Sequence, residues 1–205
     1  PYSMQRHVHD KTQPENIAFL KRLRAVMDEY DVASVGEVGD DDGIGVMAQY
    51  TAHGDKLHMA YSFNFLTEEF SPSHIREEVE KLEECINPVK GWGCWAFSNH
   101  DSVRVASRWG AQIESKSERT QFAKMLLAML GSLRGSFCIY QGEELGLTEA
   151  DVPYEKLQDP YGITFWPDFK GRDGCRTPIP WQAKAAQGGF STHESWLPIP
   201  EGHLQ

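Results

Sequence analysis

The chain has 205 residues, 20 Lys and Arg against 30 Asp and Glu, a formal net charge of -10, 40% hydrophobic residues and 11% aromatics. This balance excludes a disordered chain, and the length suits one domain or two small ones. The acidic excess disfavours nucleic acid or an anionic membrane as a partner, and no apolar stretch is long enough to span a bilayer.

The opening PYSMQRHVHDK lacks the apolar core of a signal peptide and reads as irregular. Thr12 and Glu15 then form a T-x-x-E capping box with Pro14 in the first turn. Ile17, Leu20, Leu23, Met27 and Tyr30 follow at helical spacing, so a helix is expected over 14–30. The apolar run 32–38 reads as a buried strand that opens into an acidic loop, GDDDGIG, at 39–45. A second strand is expected at 56–65. Ser71 and Pro72 start a helix that carries Ile75, Val79, Leu82 and Ile86 on one face to residue 86. A third strand is read at 94–101. Ser115 and Glu118 cap a helix that runs to about 134, and the fourth strand begins SFCIYQGEE at 136–144. The strand runs are short and do not alternate cleanly, as expected of parallel strands covered by helices. Residues 148–205 lose this rhythm and are rich in Pro, Gly, Trp and Asp, which reads as a long structured excursion rather than a separate domain.

Four cysteines, at 85, 94, 138 and 175, form no CxxC pair and match no zinc spacing. Mostly buried thiols in a reducing compartment are expected, and hence a cytoplasmic location. His7, His9 and Asp10 have no third ligand nearby in sequence, and Asp40, Asp41 and Asp42 lack the EF-hand spacing. A structural role is expected for the first group and a solvated loop for the second. No metal site and no cofactor is expected.

Polar residues cluster just after each strand run: Glu37; Asn64; Asn99, His100 and Asp101; Gln141, Glu143 and Glu144. In a (β/α)8 barrel the site is built from the C-terminal ends of several strands. Carboxylates, a histidine and amides gathered there suit a sugar ligand, because hydroxyls need paired donors and acceptors and glycosidic chemistry needs acid and carboxylate roles. Taken singly, each residue keeps a plainer reading. Glu37 is either a solvent-facing charge at a strand end or a general acid. Asp101 is either a turn cap or a functional carboxylate, and His100 either satisfies a loop carbonyl or binds ligand. Arg104 and Arg108 are either helix-surface arginines or, for Arg104, a partner that reaches back to Asp101 or to a sugar hydroxyl.

SVGEV (34–38), FSNHDSVR (97–104), YQGEELGL (140–147) and GRDGCRTPIPW (171–181) resemble the signature segments of glycoside hydrolase family 13, the α-amylase family. QRHVHDKTQPE (5–15), YQGEELGL and DPYG resemble its bacterial α-glucosidase and oligo-1,6-glucosidase branch. The resemblance covers essentially the whole chain. It implies an α/β fold that is the C-terminal half of a (β/α)8 TIM barrel, approximately strands five to eight, with a long loop after strand eight at 148–205. Residues 1–205 would then be part of one catalytic barrel domain, without the N-terminal half barrel, the inserted domain or the C-terminal β domain. It implies Glu37 as the general acid/base and Asp101 as the carboxylate that binds ring hydroxyls and stabilises the transition state. His100 and, more loosely, Arg104 would bind substrate. Asp173 and Arg176 would lie in a structural or rim-forming loop.

The family's nucleophile, an aspartate in a G-F-R-x-D type segment, has no counterpart in these residues. A barrel of this kind takes about 250 residues. Half of one leaves open sheet edges. The chain alone is therefore expected to be aggregation-prone and inactive, and to need the remainder of the same barrel as its partner. The implied activity is a retaining α-glucosidase acting on short α-glucosides such as maltose, sucrose or isomaltose. The alternatives are a transglucosidase or sucrose isomerase of the same family, or a non-catalytic sugar-binding subunit.

Overall fold

The computed structural model describes residues 6–204; residues 1–5 of the expected irregular opening lie outside them. The fold is α/β. Among the described residues there are four strands, β1 (Val35–Val38), β2 (Met59–Ser62), β3 (Cys94–Ala96) and β4 (Ser136–Cys138), in two two-stranded sheets, β1 with β2 and β3 with β4. The helices are α1 (Glu15–Glu29), α2 (Gly43–Thr51), α3 (Pro72–Ile86), α4 (Val105–Arg108), α5 (Lys116–Ser132) and α6 (Pro160–Phe165), joined by short 3-10 turns. The chain divides into two compact units, Pro1–Trp95 with Arg134–Phe137, and Ala96–Leu133 with Cys138–Gln205.

In the first unit β1 and β2 run parallel, with Val35 opposite Met59 and Val38 opposite Ser62. A side-chain clasp sets that register. Ser34 Oγ lies 3.0 Å from His58 Nδ1, and His58 N–H donates to Ser34 Oγ at 3.1 Å. A parallel bridge between Ala60 and Gly93 follows. Ser136 N–H donates to Gly93 O, and the Trp95 indole N–H donates to Arg134 O at 2.8 Å, which seats residues 134–137 beside β3. Gly135 lies at φ +120°, and a Cβ there would stand 2.5 Å from Gly93 O. The core holds Ile44, Met47, Ala60, Phe65, Leu82, Ile86 and Trp95, all at most 5% exposed, with Phe65 stacked on Trp95 at 5.2 Å.

Three expectations need correction here. The loop expected at 39–45 gives way at Gly43 to α2, which packs on β1, β2 and α3. Ile44, Val46, Met47 and Ala48 are buried over a broad arc of this short helix, and Gln49 is exposed on the opposite side. The acidic loop is not simply solvated. Asp42 caps α2 by accepting from Gly45 N–H, pairs with Lys81 at 3.0 Å, and Asp40 accepts from Thr12. The Thr12 capping box does not form: Thr12 lies at φ 52° with its hydroxyl on Asp40, and Pro14 occupies the N-cap of α1 without a side-chain bond. The α3 and α5 starts match expectation, with Ser71 accepting from His74 N–H and Ser115 from Glu118 N–H. Each strand is shorter than its apolar run.

The second unit is built around Phe97, Val105, Leu126, Leu130 and Leu147. A small satellite of Ala150, Val152 and Leu157, with Leu197 against it, anchors the 148–205 excursion. Unusually, two arginines are buried here. Arg104 is 2% exposed and donates through Nη1 to Gln141 O at 2.7 Å and through Nη2 to Cys175 O at 2.9 Å. Arg108 is 7% exposed and donates to Phe97 O and Val103 O. Backbone carbonyls, not solvent, take up both guanidiniums, with Arg104 Nε buried and unpartnered, so the helix-surface reading of these arginines is wrong. Glu143 is buried close to them. It accepts from Tyr140 N–H at 2.9 Å, and burial pushes its carboxyl up to about 7. None of the four cysteines is in a disulfide; Cys94 and Cys175 are buried and Cys85 and Cys138 half-buried.

Two glycines give opposite expectations in the complete protein. Gly135→Ala forces a side chain into a left-handed backbone against Gly93 O, and its expected cost is at least about 2 kcal/mol. Gly131 in α5 has open space where a methyl group would stand, so Gly131→Ala stabilises by about 0.5–1 kcal/mol. Denaturant midpoints check both signs. A third expectation concerns pH. Folded Glu143 holds its proton to about pH 7, whereas an unfolded glutamate releases it near 4.5. The unfolded state binds fewer protons between those values, so stability falls as pH rises from 4.5 to 7, by up to about 3 kcal/mol. Thermal unfolding of Glu143→Gln should therefore gain on the wild type by several degrees between pH 5 and pH 8; parallel melting profiles would contradict this.

Candidate active site

Glu37 lies on β1 in register with Tyr61. Successive strand residues face opposite sides. Gly36 and Val38 turn inward, where a Cβ on Gly36 would stand 2.6 Å from Leu57 Cδ1. Val35 and Glu37 share the other face, and both are exposed. Glu37 lines an open cleft of about 450 Å³, with Lys11, Thr12, Gly39, Asp40 and Tyr50 also on its wall. Lys11 Nζ donates to Gly39 O at 3.2 Å and Thr12 Oγ1 to Asp40 Oδ2 at 2.5 Å, which holds the segment before α1 against the end of β1. His7 Nδ1 pairs with Asp10 at 2.6 Å. Among the described residues no group of three His, Cys, Asp or Glu side chains could hold a metal ion.

The second cluster follows β3. Phe97, Ser98 and Asn99 are buried, and His100 and Asp101 emerge abruptly. Side-chain bonds build this turn. Ser98 Oγ accepts from Val105 N–H at 2.9 Å, and Asn99 Oδ1 accepts from Asp101 N–H and Ser102 Oγ, each at 2.9 Å. Two guanidiniums then converge on Asp101 Oδ1: Arg172 Nη1 at 3.1 Å and Arg176 Nη2 at 2.7 Å. Arg176 Nε also donates to His100 O at 2.7 Å, and His100 Nε2 stands 3.6 Å from Asp101 Oδ1. Such half-exposed pairs add little stability, so their consequence is orientation of the carboxylate.

Arg104 does not make the contact to Asp101 that its spacing offered. Its guanidinium stays on Gln141 O and Cys175 O, and its own N–H donates to Glu149 Oε2 at 2.8 Å. It ties the 97–104 turn to residues 141 and 175, and Arg172 and Arg176 supply the cations at Asp101. Asp173, 2% exposed, accepts from Gln158 N–H at 2.6 Å and Asp159 N–H at 2.8 Å, which makes it a structural residue of the excursion. The other strand-end polar groups also turn to the backbone or to helices. Asn64 donates to Glu78 on α3, and Glu144 accepts from Gly142 N–H. Sequence reasoning missed Arg172 and Asp159. The available signals were the R-x-x-x-R spacing of Arg172 and Arg176 and the Asp-Pro helix start at Asp159.

The first unit thus presents an exposed glutamate, Glu37, and the second an exposed carboxylate, Asp101, bound by two guanidiniums beside an imidazole. The catalytic-domain model of the alpha-amylase family matches residues 2–204. A probable alpha-glucosidase of Rhizobium meliloti (strain 1021) is 52% identical over 207 residues, an alignment that takes in 100% of this chain and 36% of that protein. Maltase A1 of Drosophila melanogaster is 30% identical over 213 residues, covering 96% of this chain and 35% of its own length. In the crystal structure of an alpha-glucosyl transfer enzyme, XgtA, the matched part superposes with a TM-score of 0.90 at 51% identity, covering 100% of this chain and 37% of that one. The chain thus spans little more than a third of these relatives. With residues 2–204 matched throughout, it belongs to the alpha-amylase family and to the catalytic domain of that family.

Proposed function

We propose that the complete protein is a retaining α-glucosidase acting on short α-glucosides such as maltose, sucrose or isomaltose, and that this chain supplies its general acid/base and its transition-state carboxylate. The observation that carries this reading is the Asp101 clamp: a carboxylate gripped by Arg172 and Arg176 beside His100, in the turn after β3, in a chain 52% identical to a probable alpha-glucosidase. Four short strands interleaved with helices, with β1, β2 and Gly93 linked in parallel, support approximately strands five to eight of a (β/α)8 barrel. On that reading residues 1–205 are part of one barrel domain, and the exposed strand residues Val35 and Phe137 line its interior. Four cysteines outside any disulfide support a reducing, cytoplasmic location.

In the proposed reaction Glu37 donates its proton to the glycosidic oxygen as the bond to C1 breaks. An aspartate from outside these residues attacks C1 from the opposite face and forms the glycosyl-enzyme. Glu37, now a carboxylate, takes a proton from water, which attacks C1 and releases glucose with its configuration retained. Retaining geometry puts Glu37 and the nucleophile about 5–5.5 Å apart. Asp101 accepts hydrogen bonds from ring hydroxyls and stabilises positive charge developing near C1, with His100 beside it on the same sugar. Arg104 acts at one remove, by holding the turn that carries both. The 51% likeness to an alpha-glucosyl transfer enzyme favours a second reading, in which an alcohol replaces water as acceptor in the second step.

Glu37→Gln in the complete protein should lower kcat/KM for an α-glucoside with a poor leaving group by about 10²–10⁴-fold, with far less loss of kcat/KM on an activated aryl glucoside whose departure needs no proton, while kcat falls on both because the second step still needs the base. Near-normal turnover on the poor leaving group would defeat the assignment. Chromatography of products from maltose and sucrose separates the two readings: free glucose marks hydrolysis, and longer or rearranged glucosides mark transfer.

A further inference from the structure

We infer that Asp159 is a positioning residue that sets the orientation of Asp101 through Arg172. This inference rests on the proposed role of Asp101. Asp159 is 3% exposed, in the excursion, and starts α6 by accepting from Tyr161 N–H at 3.2 Å. Its carboxylate takes the Arg172 guanidinium side-on: Oδ2 accepts from Nε at 2.9 Å and Oδ1 from Nη2 at 3.1 Å. Oδ2 also accepts from the Arg172 backbone N–H at 2.8 Å. This two-point grip fixes the plane of the guanidinium as a single contact cannot. With Nε and Nη2 committed, Nη1 is the nitrogen left to reach Asp101 Oδ1, which it does at 3.1 Å. The Tyr161 ring, 5.3 Å from Arg172 Cζ, covers the flat face of the group.

The grip is itself braced. Asp173 Oδ2 accepts from the Asp159 N–H at 2.8 Å, and a Cβ on Gly171 would stand 2.8 Å from the Gly162 backbone, so α6 and the turn at Gly171 close tightly around the pair. Buried Asp159, half-buried Arg172 and exposed Asp101 thus form a directed chain from the interior of the second unit to the candidate carboxylate. Arg176 is a second, independent cation on the same oxygen. Loss of Asp159 therefore leaves Asp101 attached but free to rotate, and a carboxylate displaced by about 1 Å loses on the order of 10²-fold in transition-state stabilisation. The loss falls on kcat rather than KM, because the contact that weakens is one that strengthens in the transition state.

The test is steady-state kinetics of the complete protein on an α-glucoside, with native fold checked by near-ultraviolet circular dichroism. Asp159→Asn should lower kcat about 10–100-fold with KM within a few-fold, and Asp159→Glu should recover part of it. Arg172→Gln, which leaves the backbone bonds of Asp159 in place, should reproduce the loss and decides the matter if Asp159→Asn does not fold. In an Asp101→Asn background, adding Asp159→Asn should cost the residual activity nothing more, whereas a merely structural residue would lower it again. Wild-type kcat in Asp159→Asn, or in Arg172→Gln where it is the variant that folds, overturns the inference while Asp101→Asn remains crippled. An active Asp101→Asn instead overturns the underlying functional reading.

Discussion

The second unit depends on one constraint: a guanidinium placed where water cannot satisfy it. Arg104, 2% exposed, has to find carbonyls, and those it finds, Gln141 O and Cys175 O, lie far apart in sequence. Desolvating a charge is costly unless its hydrogen bonds are met. The turn after β3, the residues after β4 and the 171–177 segment are therefore held in one arrangement. Glu149 and Arg108 extend the same logic, the first by accepting from Arg104 N–H and the second by donating to Phe97 O. A network of this kind fixes geometry more than it adds stability, and geometry is what a site requires.

At the surface of that network the chemistry changes character. His100 and Asp101 project from a turn whose backbone is bound by the Ser98 and Asn99 side chains, and Arg172 and Arg176 reach Asp101 from the excursion. The excursion has little regular structure, yet Asp159 and Asp173 cross-link it with charge-assisted bonds beside its small apolar cluster. Its composition of Pro, Gly, Trp and Asp is thus consistent with an ordered scaffold. Glu37 belongs to the first unit and is presented differently, by strand alternation on a β1 whose opposite face is packed so closely that Gly36 leaves no room for a side chain.

What could be read from sequence follows from which interactions are local. Ser71 with Pro72 and Ser115 with Glu118 are contacts within one turn, so the starts of α3 and α5 were legible. The Thr12 box failed because its hydroxyl donates to a distant acceptor, Asp40, from a residue at φ 52°. Helix α2 was hidden because nine residues are too few to show a clear period, and Gly43 and Gly45 in its first turn read as loop. The positions of Glu37 late in β1 and of His100 and Asp101 in the turn after β3 were visible as apolar runs turning polar. Neither the burial of Arg104 and Arg108 nor the Asp159–Arg172–Asp101 chain was visible, since every partner involved comes from another segment.

Where Glu37 and Asp101 meet a substrate decides whether these roles hold. The direct measurement is a crystal structure of the complete protein holding an unreactive α-glucoside. The expected result is the Asp101 carboxylate on ring hydroxyls, the Glu37 carboxyl within hydrogen-bond reach of the glycosidic oxygen, and an aspartate about 5–5.5 Å from Glu37 on the far side of C1. A sugar bound away from either carboxylate, or a site with no aspartate opposite Glu37, would contradict it.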